Sequence, residues 1–175
     1  MVVLVDEHGR PSGEMSKAAV HHRKTPLHLA FSCWLVDGTG GVLLTRRAAA
    51  KVTWPLAWTN AVCGHPAPGE DIVEAVRRRA TAELGLTLTT VHSVLPHFRY
   101  RAQMSNGIVE NEVCPVYRSV VPTDARLRPE PGEVADWRWT SVMRLRSDVA
   151  ADPGLFSPWM LAQLDQLGDR LRPLP

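Results

Sequence analysis

Two short runs, Thr59-Asn60-Ala61-Val62-Cys63-Gly64-His65-Pro66 and Ile108-Val109-Glu110-Asn111-Glu112-Val113-Cys114, bring a thiol, an imidazole and a carboxylate pair into patterns that can do chemistry. In an extended strand successive side chains point to opposite faces, so Glu110 and Glu112 share one face, and the same parity puts Cys63 and His65 on one side. Two carboxylates at this spacing repel, and one is driven toward neutrality unless a cation compensates. The pair therefore implies a metal ligand beside an acid, or a shared proton. Cys33 and Cys114 lie in apolar strand-like runs, where a free thiol behaves as a small hydrophobe. Cys63 sits instead among Asn60, Gly64, His65 and Pro66, where an extended run meets a turn.

The elements that must position these groups are also legible. Alternation predicts a strand over 27–36, a turn at Asp37-Gly38-Thr39-Gly40-Gly41 and a second strand over 42–45, making a hairpin. An amphipathic helix is predicted over 70–84, with Ile72, Val73, Val76, Ala80 and Leu84 as its apolar stripe and Gly85 as its stop. Strands follow near 91–101, 110–121 and 136–140, with a Pro-rich loop over 122–132. Ser157 as N-cap and Pro158 at the first helical position open a last helix whose stripe is Met160, Leu164, Leu167 and Leu171. This mixed order of strands and helices is that of an α/β (α+β) protein.

At 175 residues, 45% apolar and 22% charged, the chain fits one domain over 1–175 with a substantial core. The formal charge of +2 is small, and basic residues are dispersed except at Arg46-Arg47 and Arg77-Arg78-Arg79, so charge alone indicates no nucleic-acid footprint and leaves local phosphate binding open. The first residues have no basic segment followed by an apolar one, and no run approaches the ~18 apolar residues of a membrane span. A cytoplasmic, monomeric protein acting on a small molecule, with no nucleic-acid or membrane partner, is expected. Three cysteines make no disulfide framework.

Gly64, Glu70, Arg78, Glu83 and Gly85 fall at the spacing of the Nudix signature, a loop and helix whose glutamates hold divalent metal for pyrophosphate hydrolysis. Here Arg79 and Ala82 replace two of those glutamates. Together with the two opening runs, Leu27-His28-Leu29-Ala30-Phe31-Ser32, Trp54-Pro55 with Trp58, Phe98-Arg99-Tyr100-Arg101 and Phe156-Ser157-Pro158-Trp159-Met160, the chain resembles the type I isopentenyl diphosphate isomerases of the Nudix superfamily from Val3 to Arg170. The resemblance implies a Nudix-type α/β/α sandwich with a mixed β-sheet. It also implies an enzyme that interconverts isopentenyl and dimethylallyl diphosphate by a 1,3-allylic proton shift in isoprenoid biosynthesis. The competing readings are a Nudix hydrolase of a nucleoside diphosphate derivative and a catalytically silent Nudix-like binding module.

By the same resemblance His21, His28, His65, Glu110 and Glu112 hold a metal, with His22 the competitor beside His21. Three imidazoles and two carboxylates exceed a tetrahedral site, which favours Mg²⁺ or Mn²⁺ with Zn²⁺ also open. Glu83 and the Cys63 carbonyl are expected to take a Mg²⁺ that arrives with the diphosphate. Lys17, Arg47, Lys51 and Arg79 are expected to bind the diphosphate itself. Glu112 is expected to donate the proton, with Tyr100 hydrogen-bonded to it, and Cys63 to accept one. Trp159 is expected to face the carbocation with its indole, off the core face of its helix.

Overall fold

Local chemistry decides where the chain extends, turns and coils. The computed structural model describes residues 1–171, apart from the side chain of Asp169. A first hairpin, β1 (Val2–Val5) and β2 (Pro11–Met15), leads through a short helix α1 (Lys17–Val20) to β3 (His28–Leu29). The chain then runs through β4 (Phe31–Asp37), β5 (Gly41–Arg47), β6 (Trp58–Asn60) and β7 (Val62–Gly64) to the helix α2 (Ile72–Leu84). Strands β8 (His92–Leu95), β9 (Arg99–Gln103), β10 (Val109–Val113), β11 (Val116–Val121) and β12 (Val134–Ser141) follow, then α3 (Val142–Ala151) and α4 (Pro158–Leu167). The β4–β5 turn is closed by Asp37, whose Oδ1 accepts hydrogen bonds from the backbone of Thr39 and Gly41, at 2.8 Å each. On α2, Asp71 caps the backbone N–H groups of Val73 and Glu74, and Gly85 closes the helix at φ 67°, in the left-handed region that favours glycine. The helix therefore starts just after the predicted Glu70.

The strands form two sheets, ordered β2-β1-β3-β10-β9 and β12-β5-β4-β11-β8, with β6 added to β5 and β7 to β4. Parity along β4 sorts the core. Phe31, Cys33 and Leu35 pack with Val76, Ala80 and Leu84 of α2, whereas Trp34 and Val36 pack with Met160, Leu164 and Leu167 of α4. Helices thus cover both faces of the larger sheet, the expected sandwich. Leu171, counted in the stripe of the last helix, is buried in a 3-10 turn (Gly168–Leu171) beyond α4.

Three predicted strands are each broken in two. The stretches 27–36, 91–101 and 110–121 pass from one sheet to the other at Ala30, at Pro96–Phe98 and at Cys114–Pro115. Pro96 and Pro115 have no N–H to give a ladder, which explains two of the breaks. The crossing segments hold one another: Ala30 N–H donates to Val113 O (2.9 Å), Cys114 N–H to Phe98 O (2.9 Å) and Ser32 N–H to Pro115 O (3.2 Å). The result is a cleft between the sheets into which both contribute side chains. Ser157, predicted to cap α4, precedes it in extended conformation but makes no capping bond. Its Oγ instead lies 2.8 Å from Thr59 Oγ1.

Candidate active site

Register puts the carboxylates where they are needed. Glu112 on β10 stands opposite His28 on the parallel β3 and opposite Tyr100 on the antiparallel β9. His65 follows β7, and His21 caps the end of α1. Glu112 Oε1 lies 3.1 Å from His65 Nε2, 3.3 Å from His28 Nε2 and 4.0 Å from His21 Nε2. One ligand atom from each of the four residues falls within 4.8 Å of all the others. The His28 Nδ1 lies 2.9 Å from Pro26 O, and donating to that carbonyl leaves the Nε2 lone pair free as a ligand. Nε2 of both His21 and His28 is buried with no hydrogen-bond partner. Buried polar atoms left unsatisfied around a common centre fit a divalent cation. His21 joins the group; exposed His22 turns away, its Nδ1 accepting from the Lys24 backbone at 3.1 Å. Glu110, expected as a fifth ligand, is outside this four-residue group.

The Tyr100 hydroxyl lies 2.5 Å from Glu110 Oε2 and 2.8 Å from Glu112 Oε2, within reach to donate to either carboxyl. Burial raises the Glu110 carboxyl, and the neighbouring Glu112 charge raises it further. Burial acts the same way on Glu112, but the three imidazoles gathered around its carboxylate outweigh it and hold this carboxyl well below the usual range. The pair splits as like charges in one site must, with Glu110 the better proton store and Tyr100 touching both. Burial pushes the Cys63 thiol up to about 11, although hydrogen bonding to Ser32 and Asn60 pulls the other way.

Cys63, Tyr100, Glu110, Glu112 and Trp159 line one cavity of about 200 Å³, and Lys17, Arg47, Lys51 and Arg79 line it as well. Lys17 is held below its usual range by burial and by repulsion from Arg79 and Lys51, the signature of cations gathered around a site for anions. Arg79 is paired here rather than free: its guanidinium contacts Glu83 and lies 3.1 Å from Glu133, and Lys51 also pairs with Glu133. Glu83, expected as a Mg²⁺ ligand, is thus the partner of Arg79 in this structure. Glu133 was not singled out by sequence; it lies just past the Pro-rich loop, and only the fold brings it to these cations.

Trp159 corrects an expectation. It is 2% exposed and packs in the same core as Met160, so the indole is not off the core face. It lies between core and cavity, with ring centroids of Trp54 and Tyr100 at 5.6 and 5.8 Å and the Arg47 guanidinium 5.2 Å away.

The NUDIX domain family model matches residues 26–160. The chain is 54% identical over 167 residues to the isopentenyl-diphosphate Delta-isomerase of Paenarthrobacter aurescens (strain TC1), covering 95% of this chain and 90% of that protein. The chain belongs to this isomerase family. A second member, from Klebsiella pneumoniae subsp. pneumoniae, is 48% identical over 164 residues, covering 94% of this chain and 88% of its own length. Among solved structures, DR0079 from Deinococcus radiodurans superposes with a TM-score of 0.74 at 19% identity over 95% of this chain and 98% of its own, a likeness of fold alone. As an isopentenyl-diphosphate Delta-isomerase family member with a NUDIX domain, the chain keeps the signature helix α2 but carries Arg79 and Ala82 where the hydrolytic pattern has glutamates. No helix among the described residues is long and apolar enough to cross a membrane.

Proposed function

We propose that the protein interconverts isopentenyl diphosphate and dimethylallyl diphosphate, adding a proton at the terminal alkene carbon and removing one from the carbon two bonds away. The observation that carries this reading is one cavity that joins a thiol, a tyrosine-bonded carboxyl pair and an indole to a cluster of four cationic side chains. A hydrolase would need the glutamates that Arg79 and Ala82 replace. A silent binding module would have no use for Cys63, Tyr100 and Glu112 on one wall-to-wall site.

In the forward direction Glu112, bonded to Tyr100, gives the proton and Cys63 takes one; the reverse reaction exchanges the roles. Each forward turnover then ends with a protonated thiol and an ionised Glu112, the forms that burial of the thiol and the imidazoles around the carboxylate favour. Before the next turnover the thiol gives up the proton it took and the carboxyl side regains one, for which Glu110 is the adjacent store. Adding a proton to the alkene forms a tertiary carbocation, which water would quench. Trp159 and its aromatic neighbours exclude water there, and an indole face stabilises a desolvated cation by about 2 kcal/mol.

A divalent ion held by His21, His28, His65 and Glu112, with Mg²⁺ or Mn²⁺ favoured and Zn²⁺ accommodated, would supply charge compensation that fixes the Glu112 carboxyl. Lys17, Arg47, Lys51 and Arg79 bind the diphosphate, and Glu83 with the Cys63 carbonyl would hold the Mg²⁺ that accompanies it. One domain carries every group in this scheme.

Incubation with isopentenyl diphosphate and Mg²⁺ should yield dimethylallyl diphosphate. Release of isopentenyl monophosphate and inorganic phosphate would instead mark a hydrolase, and neither product would mark a binding module. Arg79→Ala should raise KM by about 10- to 100-fold with a smaller change in kcat, because a charge-assisted hydrogen bond is worth ~1.5–3 kcal/mol. Steady-state kinetics with unchanged KM and kcat would remove Arg79 from the site.

A further inference from the structure

Two chains of buried hydrogen bonds link α4 to the Cys63 sulfur. In the first, Trp34 Nε1 donates to Gln163 Oε1 (2.9 Å), Gln163 Nε2 donates to Ser32 Oγ (2.9 Å), and Ser32 Oγ lies 3.4 Å from Cys63 Sγ. An indole N–H only donates, so it faces the amide oxygen and turns the amide NH₂ toward Ser32. Ser32 therefore accepts from Gln163 and keeps its single hydrogen for a sulfur, Cys63 at 3.4 Å being nearer than Cys114 at 3.6 Å.

In the second, Cys63 Sγ donates to Asn60 Oδ1 at 3.3 Å. The Asn60 amide is also fixed, because its Nδ2 donates to the carbonyls of Cys33 (3.2 Å) and Val62 (3.3 Å), which only accept. Thr59 Oγ1 lies 3.3 Å from Asn60 Oδ1 and 2.8 Å from Ser157 Oγ, which extends this chain to the start of α4. Ser157, just before α4, and Gln163 within it flank Trp159 in sequence. Ser32, Trp34, Asn60, Ser157 and Gln163 are all fully buried, so water does not compete for these bonds. The sulfur thus donates to an amide oxygen whose orientation is fixed on one side and faces, on another, a Ser32 hydroxyl held by the Gln163 amide.

We propose that Ser32, Gln163 and Ser157 are positioning residues that orient the Cys63 sulfur toward the cavity, so that α4 sets the thiol and Trp159 in register with each other. The proposal rests on the isomerase reading. If these bonds served only to satisfy buried polar atoms, breaking them would cost stability without a specific effect on the thiol.

The test is a double-mutant cycle on the intact protein, with folding checked by thermal melting. Ser32→Ala and Gln163→Leu should each lower kcat by about tenfold or more with KM changed less than about twofold, and together should lose no more than the worse single variant, because both break one chain. The Raman S–H stretching band of Cys63, assigned by its loss in Cys63→Ala, should shift in both. Wild-type kcat in Ser32→Ala, or a fall in kcat with that band unmoved, overturns the proposal. Should Ser32→Ala not fold, Gln163→Leu decides by the same two readouts. A wild-type protein that makes no dimethylallyl diphosphate defeats the isomerase reading itself, before any variant is read.

Discussion

Cys63→Ala is expected to lose about 10²–10⁴-fold in turnover while keeping its fold and its metal, since a general acid or base contributes on that order. The thiol lies outside the four-residue metal group, so removing it takes no ligand away. It is partly exposed in the cavity, and its truncation leaves the Ser32 hydroxyl and the Asn60 carbonyl oxygen short of one partner. That costs about 1–3 kcal/mol, a fraction of the ~5–15 kcal/mol of a typical domain. In D₂O the wild-type protein should place deuterium in the allylic unit. A variant that isomerises at a near-normal rate, with deuterium incorporated as before, would show that another group moves the proton and that the assignment of Cys63 is wrong.

The parts of this site written in local pattern were legible in the sequence. The same-face placement of Glu110 and Glu112 follows from strand parity, and α2 declares itself by its stripe and its Gly85 stop, although the Asp71 cap that sets its start was not read from the sequence. What the pattern could not carry is which sheet a strand joins. The runs through Ala30, Phe98 and Cys114 read as single continuous strands, yet each crosses between sheets, and those crossings make the cleft. His21 and His22 are equivalent in composition, and only the close of α1 decides which imidazole turns inward. Glu133 and Gln163 carry no motif, and Ser32 closes a matching run without a role assigned to it; their partners lie 82, 131 and 31 positions away in the chain. Trp159 shows the opposite error. Helical periodicity assigned it away from Met160 and Leu164, but a cavity that indents the core lets one residue serve packing and site together.

The substitution in the signature helix has a physical consequence that reaches the metal question. In a hydrolytic pattern the position of Arg79 would add negative charge beside Glu83; here it neutralises Glu83, and Glu133 balances Lys51 and Arg79 together. Burial raises the Glu83 carboxyl despite that partner. The negative charge available to hold a cation without substrate therefore moves from α2 to the group around Glu112, where imidazoles replace carboxylates.

Glu112→Gln is the harsher test, because Glu112 is both the centre of the imidazole cluster and the carboxyl bonded to Tyr100. The amide keeps the shape but loses the charge, and a neutral oxygen is a poorer ligand than a carboxylate for a divalent ion. Metal affinity should fall by at least about tenfold, the scale on which even groups behind the ligands act. Turnover should fall at least as far as in Cys63→Ala, since the variant loses a proton carrier together with the ligand. Metal content per chain and turnover must be measured on the same preparation. Lost turnover with full metal assigns Glu112 to proton transfer alone, and recovery of turnover at high metal concentration assigns it to ligation alone. Full metal and full turnover together would exclude both roles and move the site away from β10.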